Sequence, residues 1–279
     1  MGSLWSDLPR RLITICVGIP VLWYLWGDQL LRKLFFEAVH LLVTWEWVQM
    51  TGVPSLWALV FPIVSLLLAN VRNDQLFLAC LVPWISFATI GFWGRGSSDR
   101  RESDLLISFL VGTLFITIPF RAWLIVGEDF HHLVSVLLTV WNGDTGALVV
   151  GRISKARGFS TVPPSWLYKI SPNKSLAGLW GGVAGATLTY VSLPLFWSLI
   201  ESWKLAPEEK FLVSVNLLER LTVGLILGFL AILGDLFESY WKRYFGVKDT
   251  GKLLPGHGGI MDRFDSSLLA VLFYHYYTS

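Results

Sequence analysis

Apolar runs at roughly 11–31, 34–50, 54–70, 74–93, 104–126, 131–150, 176–200, 211–233 and 266–278 leave little of this chain outside a hydrophobic stretch. The hydrocarbon core of a bilayer is about 30 Å thick, so a helix needs about 20 apolar residues to cross it. Most of the runs approach that length, and the last is short enough to tilt or to lie partly in the interface. Composition agrees, because 54% hydrophobic and 15% charged residues, with a mean hydropathy of +0.58, exceed what an aqueous domain carries. The expected fold class is therefore all-α: a polytopic integral membrane protein with about nine transmembrane helices. Pro20, Pro62, Pro83 and Pro119 fall inside the runs, where neighbouring helices can satisfy the freed carbonyls, so kinks are expected and not breaks.

The short loops give an orientation. With alternating spans, Arg10 and Arg11, then Arg95, Arg100 and Arg101, then Arg152, Lys155, Arg157, Lys169 and Lys174 share one side. The positive-inside rule assigns that side to the cytoplasm or its topological equivalent, while Arg32 and Lys33 lie opposite. Two further spans return the chain to the cytoplasmic side for Asp235 to Asp265. The expected organisation is N-terminal transmembrane helices over 1–130 and a C-terminal transmembrane catalytic region over 131–279, without a linker between soluble domains.

Ionisable groups beside a bilayer are costly, and their density between residues 235 and 265 points to a polar site at the membrane surface. Asp235, Glu238, Ser239 and Lys242 recur at spacings of three and four, so a helix continuing from the apolar run before them presents all four on one face. Gly256, Gly258 and Gly259 permit close backbone approach or positive φ. Asp262 and Asp265 follow one turn apart as hard oxygen donors. Carboxylates joined to Lys and Arg are what a Mg²⁺-bound nucleotide requires. Taken singly, each feature has an ordinary reading: a mixed-charge stripe is usually a solvated face, Pro-Gly is a turn, and His257 is a hydrogen-bonded loop residue.

The conjunction resembles the C-terminal motif of CDP-diacylglycerol synthases, also called phosphatidate cytidylyltransferases. That motif places Ser, Lys-Arg, Lys-Asp, Pro-Gly-His-Gly-Gly, Asp-Arg and Asp at fixed intervals. Here they are Ser239, Lys242, Arg243, Lys248, Asp249, the run Pro255 to Gly259, Asp262, Arg263 and Asp265. Two middle segments, Asn142 to Arg152 and Ser171 to Gly182, are similar to the family's Asp-Ser/Thr-Gly-Ala-Tyr and Ser-Pro-Lys-Lys-Thr elements. Leu148 stands where an aromatic is common, and Asn173 and Ser175 replace a usual Lys and Thr. The resemblance covers about the last half of the chain; before it, hydropathy and the basic start carry the match.

The resemblance implies that CTP and phosphatidate react to give CDP-diacylglycerol and pyrophosphate, the lipid phosphate attacking the α-phosphorus in line. It implies catalytic roles for Asp235, Asp262, Asp265, Lys242 and Arg263, with Mg²⁺ held by Asp235 and Asp262, then Asp265, and Asp144 as an outer ligand. A second cation, Mg²⁺ or K⁺, would relieve repulsion among converging carboxylates. Substrate contacts fall to Ser171, Lys174, Ser239, Arg243, Lys248, Asp249, Gly256, His257, Gly258 and Gly259. His257 is not expected to act as a general base, because a phosphate monoester is already ionised near neutral pH. The implied partners are CTP, phosphatidate in the leaflet, membrane lipids and a second copy of the chain, with no nucleic acid. The expected location is a bacterial inner membrane or an equivalent organelle membrane.

Other features have simpler readings. The fifteen Trp include expected interfacial anchors. Cys16 and Cys80 are isolated, which excludes a CxxC metal site. Glu37, Glu46 and Arg121 fall within apolar runs, where pairing between helices is favoured over an ion pathway. Two rival functions stand beside the cytidylyltransferase. A CTP-dependent polyprenol or phytol kinase would release CDP in place of pyrophosphate, and a transporter would require an inverted repeat that the sequence does not display.

Overall fold

The structure is a computed structural model that describes residues 23, 27–53, 55–93, 100–159, 164–203, 214–251, 253 and 258–279. Ten α-helices occupy them: α1 (Gln29–Thr51), α2 (Ser55–Ala69), α3 (Asp74–Trp93), α4 (Arg100–Gly112), α5 (Ile118–Val126), α6 (Phe130–Ala156), α7 (Ser165–Ile170), α8 (Leu176–Ser202), α9 (Leu217–Tyr244) and α10 (Met261–Thr278). A π-helical turn, Thr113–Thr117, joins α4 to α5 without a break. Among the described residues no strand of a sheet occurs, so the all-α expectation holds. Four stretches there are long and apolar enough to cross a bilayer: Asp104–Val126, Phe130–Ala156, Leu176–Ser202 and Leu217–Tyr244. Two apolar helices, Leu56–Ala69 and Asp74–Phe87, are shorter. Most of the expected first run, with Arg10, Arg11, Cys16 and Pro20, lies outside the described residues.

Helix boundaries follow local chemistry more closely than hydropathy. Asp28, Asp129, Ser175 and Asn216 each accept a hydrogen bond from the first turn of α1, α6, α8 and α9 in turn. Gly52, at φ +67°, closes α1 with its N–H on the Val48 carbonyl at 3.1 Å. Hydropathy places the end of the eighth run near 233, yet α9 continues to Tyr244. The backbone ladder needs only compatible residues, and Asp235 to Arg243 extend it while Glu238, Ser239 and Lys242 turn inward. For the same reason α10 begins at Met261, five residues before its apolar run.

Packing places α8 between α6 and α9, and α10 against α9, α5 and α6. The α6–α8 crossing is built from glycines: Gly143, Gly146 and Gly151 face Gly178, Gly181, Gly182 and Gly185. Without side chains in the way, the two backbones approach closely enough for van der Waals packing to hold them where lipid offers no hydrophobic drive. Gly224 and Gly228 do the same for α9, where an added Cβ would lie 2.9 Å from the Thr187 and Val183 Cα atoms.

The N-terminal helices pack around buried aromatics. Trp47, Trp123 and Trp197 are fully buried, so these three are core residues and not interfacial anchors; Trp180 and Trp203 remain largely exposed. Arg32 is buried because it completes the end of α5, donating to the Gly127 carbonyl at 2.8 Å and the Glu128 carbonyl at 2.9 Å. Arg121 donates to the Val71 and Arg72 carbonyls, pairs with Asp74 and covers the Phe77 ring. Pairing between elements therefore accounts for both arginines.

Candidate functional site

Both motif regions line one cavity of about 710 Å³. Its walls are the C-terminal half of α6 from Gly143 to Lys155, the Pro172 to Ser175 turn, the start of α8, the stretch of α9 from Gly228 to Asp235, and the first turn of α10 with Asp262, Asp265 and Ser266. The glycine crossing is what admits this arrangement, since it brings Asp144 on α6 and Lys174 before α8 within reach of the α9 and α10 carboxylates.

Each carboxylate has a protein donor. Asp235 forms an ion pair with Lys174 and accepts from Ser239 Oγ at 3.3 Å. Asp265 accepts from its neighbour's backbone, Ser266 N, at 2.7 Å. The Ser266 hydroxyl lies 3.2 Å from Asp144 Oδ1 and 3.3 Å from Asp265 Oδ1, so one O–H group spans two acidic side chains. Lys242 sits between Glu238 and Asp262 with Nζ 2.8 Å from an oxygen of each. Asp262 also accepts from Gly259 N at 2.7 Å and Thr250 N at 3.2 Å.

The donor set is oxygen from carboxylates and a hydroxyl, with no sulfur or imidazole among the lining groups, and that chemistry suits a hard cation. Among the described residues no three His, Cys, Asp or Glu side chains are already drawn together at metal-binding distance. Asp144, Asp235 and Asp265 nonetheless share the cavity, and the hydroxyl and ammonium donors now on them are exchangeable partners. Arg152, Lys155 and Lys174 give the same cavity an anion-attracting side.

A family model described as Cytidylyltransferase family matches residues 9–279. The chain belongs to the cytidylyltransferase family. It is similar to a phosphatidate cytidylyltransferase of Staphylococcus haemolyticus (strain JCSC1435), 29% identical over 266 residues that make up 93% of each chain. A phosphatidate cytidylyltransferase of Staphylococcus aureus (strain COL) is 40% identical over 144 residues, 52% of this chain and 47% of that protein. One from Staphylococcus epidermidis (strain ATCC 12228 / FDA PCI 1200) is 36% identical over a stretch of the same length.

Within this cytidylyltransferase-family chain, Asp144, Lys174, Asp235, Asp262 and Asp265 come together at the cavity as the sequence suggests. Ser239 and Lys242 join them from the expected face of α9. Ser171 ends α7 at the edge of the group, its N–H on the Leu167 carbonyl. Arg243 is exposed and donates to the Ile170 and Val247 carbonyls, fastening the end of α9 to the middle motif segment. Lys248, Asp249 and Arg263 are exposed and outside the cavity lining. Gly256 and His257 lie outside the described residues.

Asp262, ranked by the sequence with Asp235 as a leading metal ligand, accepts from Lys242 and two backbone N–H groups, and Asp144 and Asp265 share the Ser266 hydroxyl. Of the glycines expected to contact substrate, Gly259 donates its N–H to Asp262, and Gly258 at φ +81° leaves no room for a Cβ beside the same carboxylate. Ser266 and Thr250 carry no sequence signal, since isolated hydroxyl residues show no periodicity. Glu46 stands out as an acid inside an apolar run, but its partners lie some two hundred residues later, at Thr250, Ile260 and Met261.

Proposed function

We propose that the chain is a phosphatidate cytidylyltransferase, converting CTP and phosphatidate to CDP-diacylglycerol and pyrophosphate. The observation that carries this reading is the shared cavity, in which the middle and C-terminal motif segments of a cytidylyltransferase-family chain meet. Its size falls within the ~300–1,000 Å³ range of small-molecule sites. Leu148 lines it and is half-exposed, which puts an apolar side chain where an acyl chain would enter beside the polar floor.

In the reaction an oxygen of the lipid phosphate forms a bond to the α-phosphorus of CTP, and the bond from that phosphorus to the α–β bridging oxygen breaks. The electron pair leaves with pyrophosphate. Two anionic reactants repel, so the chain must bring positive charge to where negative charge accumulates. Arg152, Lys155 and Lys174 face the cavity and supply it, Arg as a bidentate fork and Lys as a compact charge. Lys242 fixes Asp262 against α9 and keeps the first turn of α10 in register. Ser171, Arg243, Lys248, Arg263, Gly256, His257 and Gly258 are assigned to phosphate contacts, His257 as a hydrogen-bond donor, and Asp249 to a further substrate contact. Asp144, Asp235 and Asp265, with Asp262 beside them, would hold Mg²⁺ and a second cation, Mg²⁺ or K⁺. When bound, these cations neutralise phosphate charge and stabilise the departing pyrophosphate.

The same reading includes about nine spans, the division at residue 130, the site on the cytoplasmic face and a homodimeric assembly. The basic residues Arg152, Arg157, Lys169 and Lys174, clustered in sequence between α6 and α8, support the cytoplasmic side. The test uses the purified chain in detergent with phosphatidate micelles, Mg²⁺ and CTP labelled at the α-phosphorus. Labelled lipid with matching pyrophosphate, both lost on chelation, is expected. Label remaining in water as CDP only when a lipid alcohol is supplied would replace the reading with a kinase, and no CTP turnover in folded protein would end it.

A further inference from the structure

Glu46 is buried at 3% exposure in the N-terminal half of the chain, yet every hydrogen bond described for it reaches the C-terminal loop. Its Oε1 accepts from Ile260 N at 3.0 Å, and its Oε2 accepts from Met261 N at 2.9 Å and from Thr250 Oγ1 at 3.1 Å. Ile260 precedes α10 and has no side chain able to cap it. The first amides of a helix point along its axis without partners and carry the positive end of its dipole, so they favour a carboxylate. Glu46 therefore serves as the N-terminal cap of α10, delivered from α1.

The surroundings hold that carboxylate in place. Neighbouring Trp47 is buried at 1%, donates from Nε1 to the Ser108 carbonyl at 3.0 Å, and meets the Trp241 ring of α9 edge-on at 6.1 Å. Gly251 and Gly259 close over the other side, and a Cβ at either position would run into the Glu46 carboxylate. The turn that Glu46 caps carries Asp262 and Asp265, and Thr250 contributes its N–H to Asp262 while its hydroxyl reaches Glu46.

We propose that Glu46 is a positioning residue for the reaction: from outside the cavity it ties Thr250 to Ile260 and the first turn of α10, and so sets the placement of Asp262 and Asp265. The proposal rests on the cytidylyltransferase reading for its kinetic readout alone, because backbone exchange reports on the clamp without turnover.

The experiment compares wild type, Glu46→Gln and Thr250→Val in detergent by amide hydrogen exchange and steady-state kinetics. Glu46→Gln keeps the shape but turns an NH₂ group toward an N–H donor. It is expected to speed exchange across 258–266 by about 10- to 100-fold while α6 and α8 exchange as in wild type. The same variant is expected to lower kcat by roughly 10- to 100-fold with KM for CTP changed less than about threefold. Thr250→Val removes one donor only, and should give the same local pattern at smaller amplitude should Glu46→Gln not fold. Wild-type exchange over 258–266, equal acceleration in every helix, or normal kcat despite a loosened loop would each overturn the proposal. Absence of turnover in wild type would instead remove the functional reading and leave the exchange comparison to decide the clamp.

Discussion

Replacing Gly181 by Ala should weaken the molecule, whereas replacing Gly151 by Ala on the same interface should not. A Cβ at Gly181 would lie 2.7 Å from Val150 Cγ2 and 2.8 Å from the Gly146 carbonyl oxygen. The second contact is backbone and the first a β-branched side chain with one favoured rotamer in a helix, so neither can retreat without moving α6 from α8. Overpacking of this kind costs about 1–3 kcal/mol, and the tightness here favours the upper half. The gain in helix preference from Gly to Ala offsets about 0.5–1 kcal/mol, leaving a net loss of about 1–2 kcal/mol. At Gly151 the nearest atoms to an added Cβ are Ser175 Oγ at 3.5 Å and Gly178 Cα at 3.6 Å, which are ordinary contacts. There the propensity gain stands nearly alone. Unfolding in mixed micelles by SDS titration measures both, and Gly181→Ala combined with Val150→Ala should recover only part of the loss, because the Cβ of residue 150 and the Gly146 carbonyl both remain against the added methyl. Equal stability of the two single variants would refute the claim that backbone proximity fixes this crossing.

Ser266→Ala removes the hydroxyl shared by Asp144 and Asp265 but leaves the 2.7 Å backbone bond to Asp265, so Asp144 loses orientation more than Asp265. Binding of Mn²⁺, followed by its paramagnetic resonance signal, should weaken about 10-fold or more, and unchanged binding would remove Asp144 from the proposed cation set. Asp262→Asn should abolish Mg²⁺-dependent turnover in protein that still purifies as a folded species; retained turnover would show that the Lys242–Asp262 pair is dispensable. Asp129→Ala deletes the N-cap of α6 and should cost about 1 kcal/mol at neutral pH. The contact with His131, aided by the His132 and His131 backbone N–H groups, holds the Asp129 carboxyl below the usual carboxylate range despite partial burial. A depressed value means that this stability is fully present above the unfolded pKa of about 4 and fades as pH falls below it, so the wild-type advantage should be flat from pH 5 to 8 and shrink in acid.

Much of the site is legible in the sequence. The i, i+3 and i+4 spacing of Asp235, Glu238, Ser239 and Lys242 requires only a continuous helix, and α9 provides one. The placement of Asp262 and Asp265 on one turn likewise follows from sequence separation. What Asp262 touches does not, because its partners Lys242, Thr250 and Gly259 come from separate stretches of chain that only tertiary packing brings together. Hydropathy located the long apolar helices among the described residues but placed the end of α9 early, since a polar residue facing a cavity still continues a helix.

The sequence by itself determined the all-α membrane class, the family and the residues able to carry phosphate and cation chemistry, since these depend on composition, spacing and side-chain type. Only the tertiary structure decided that the glycine crossing of α6 and α8 brings Asp144 to Asp265, that one hydroxyl of Ser266 lies between them, and that Glu46 caps α10 from the other half of the chain. Such contacts join residues far apart in the chain, and their geometry is fixed by packing and hydrogen-bond satisfaction, for which a local pattern of residues holds no record.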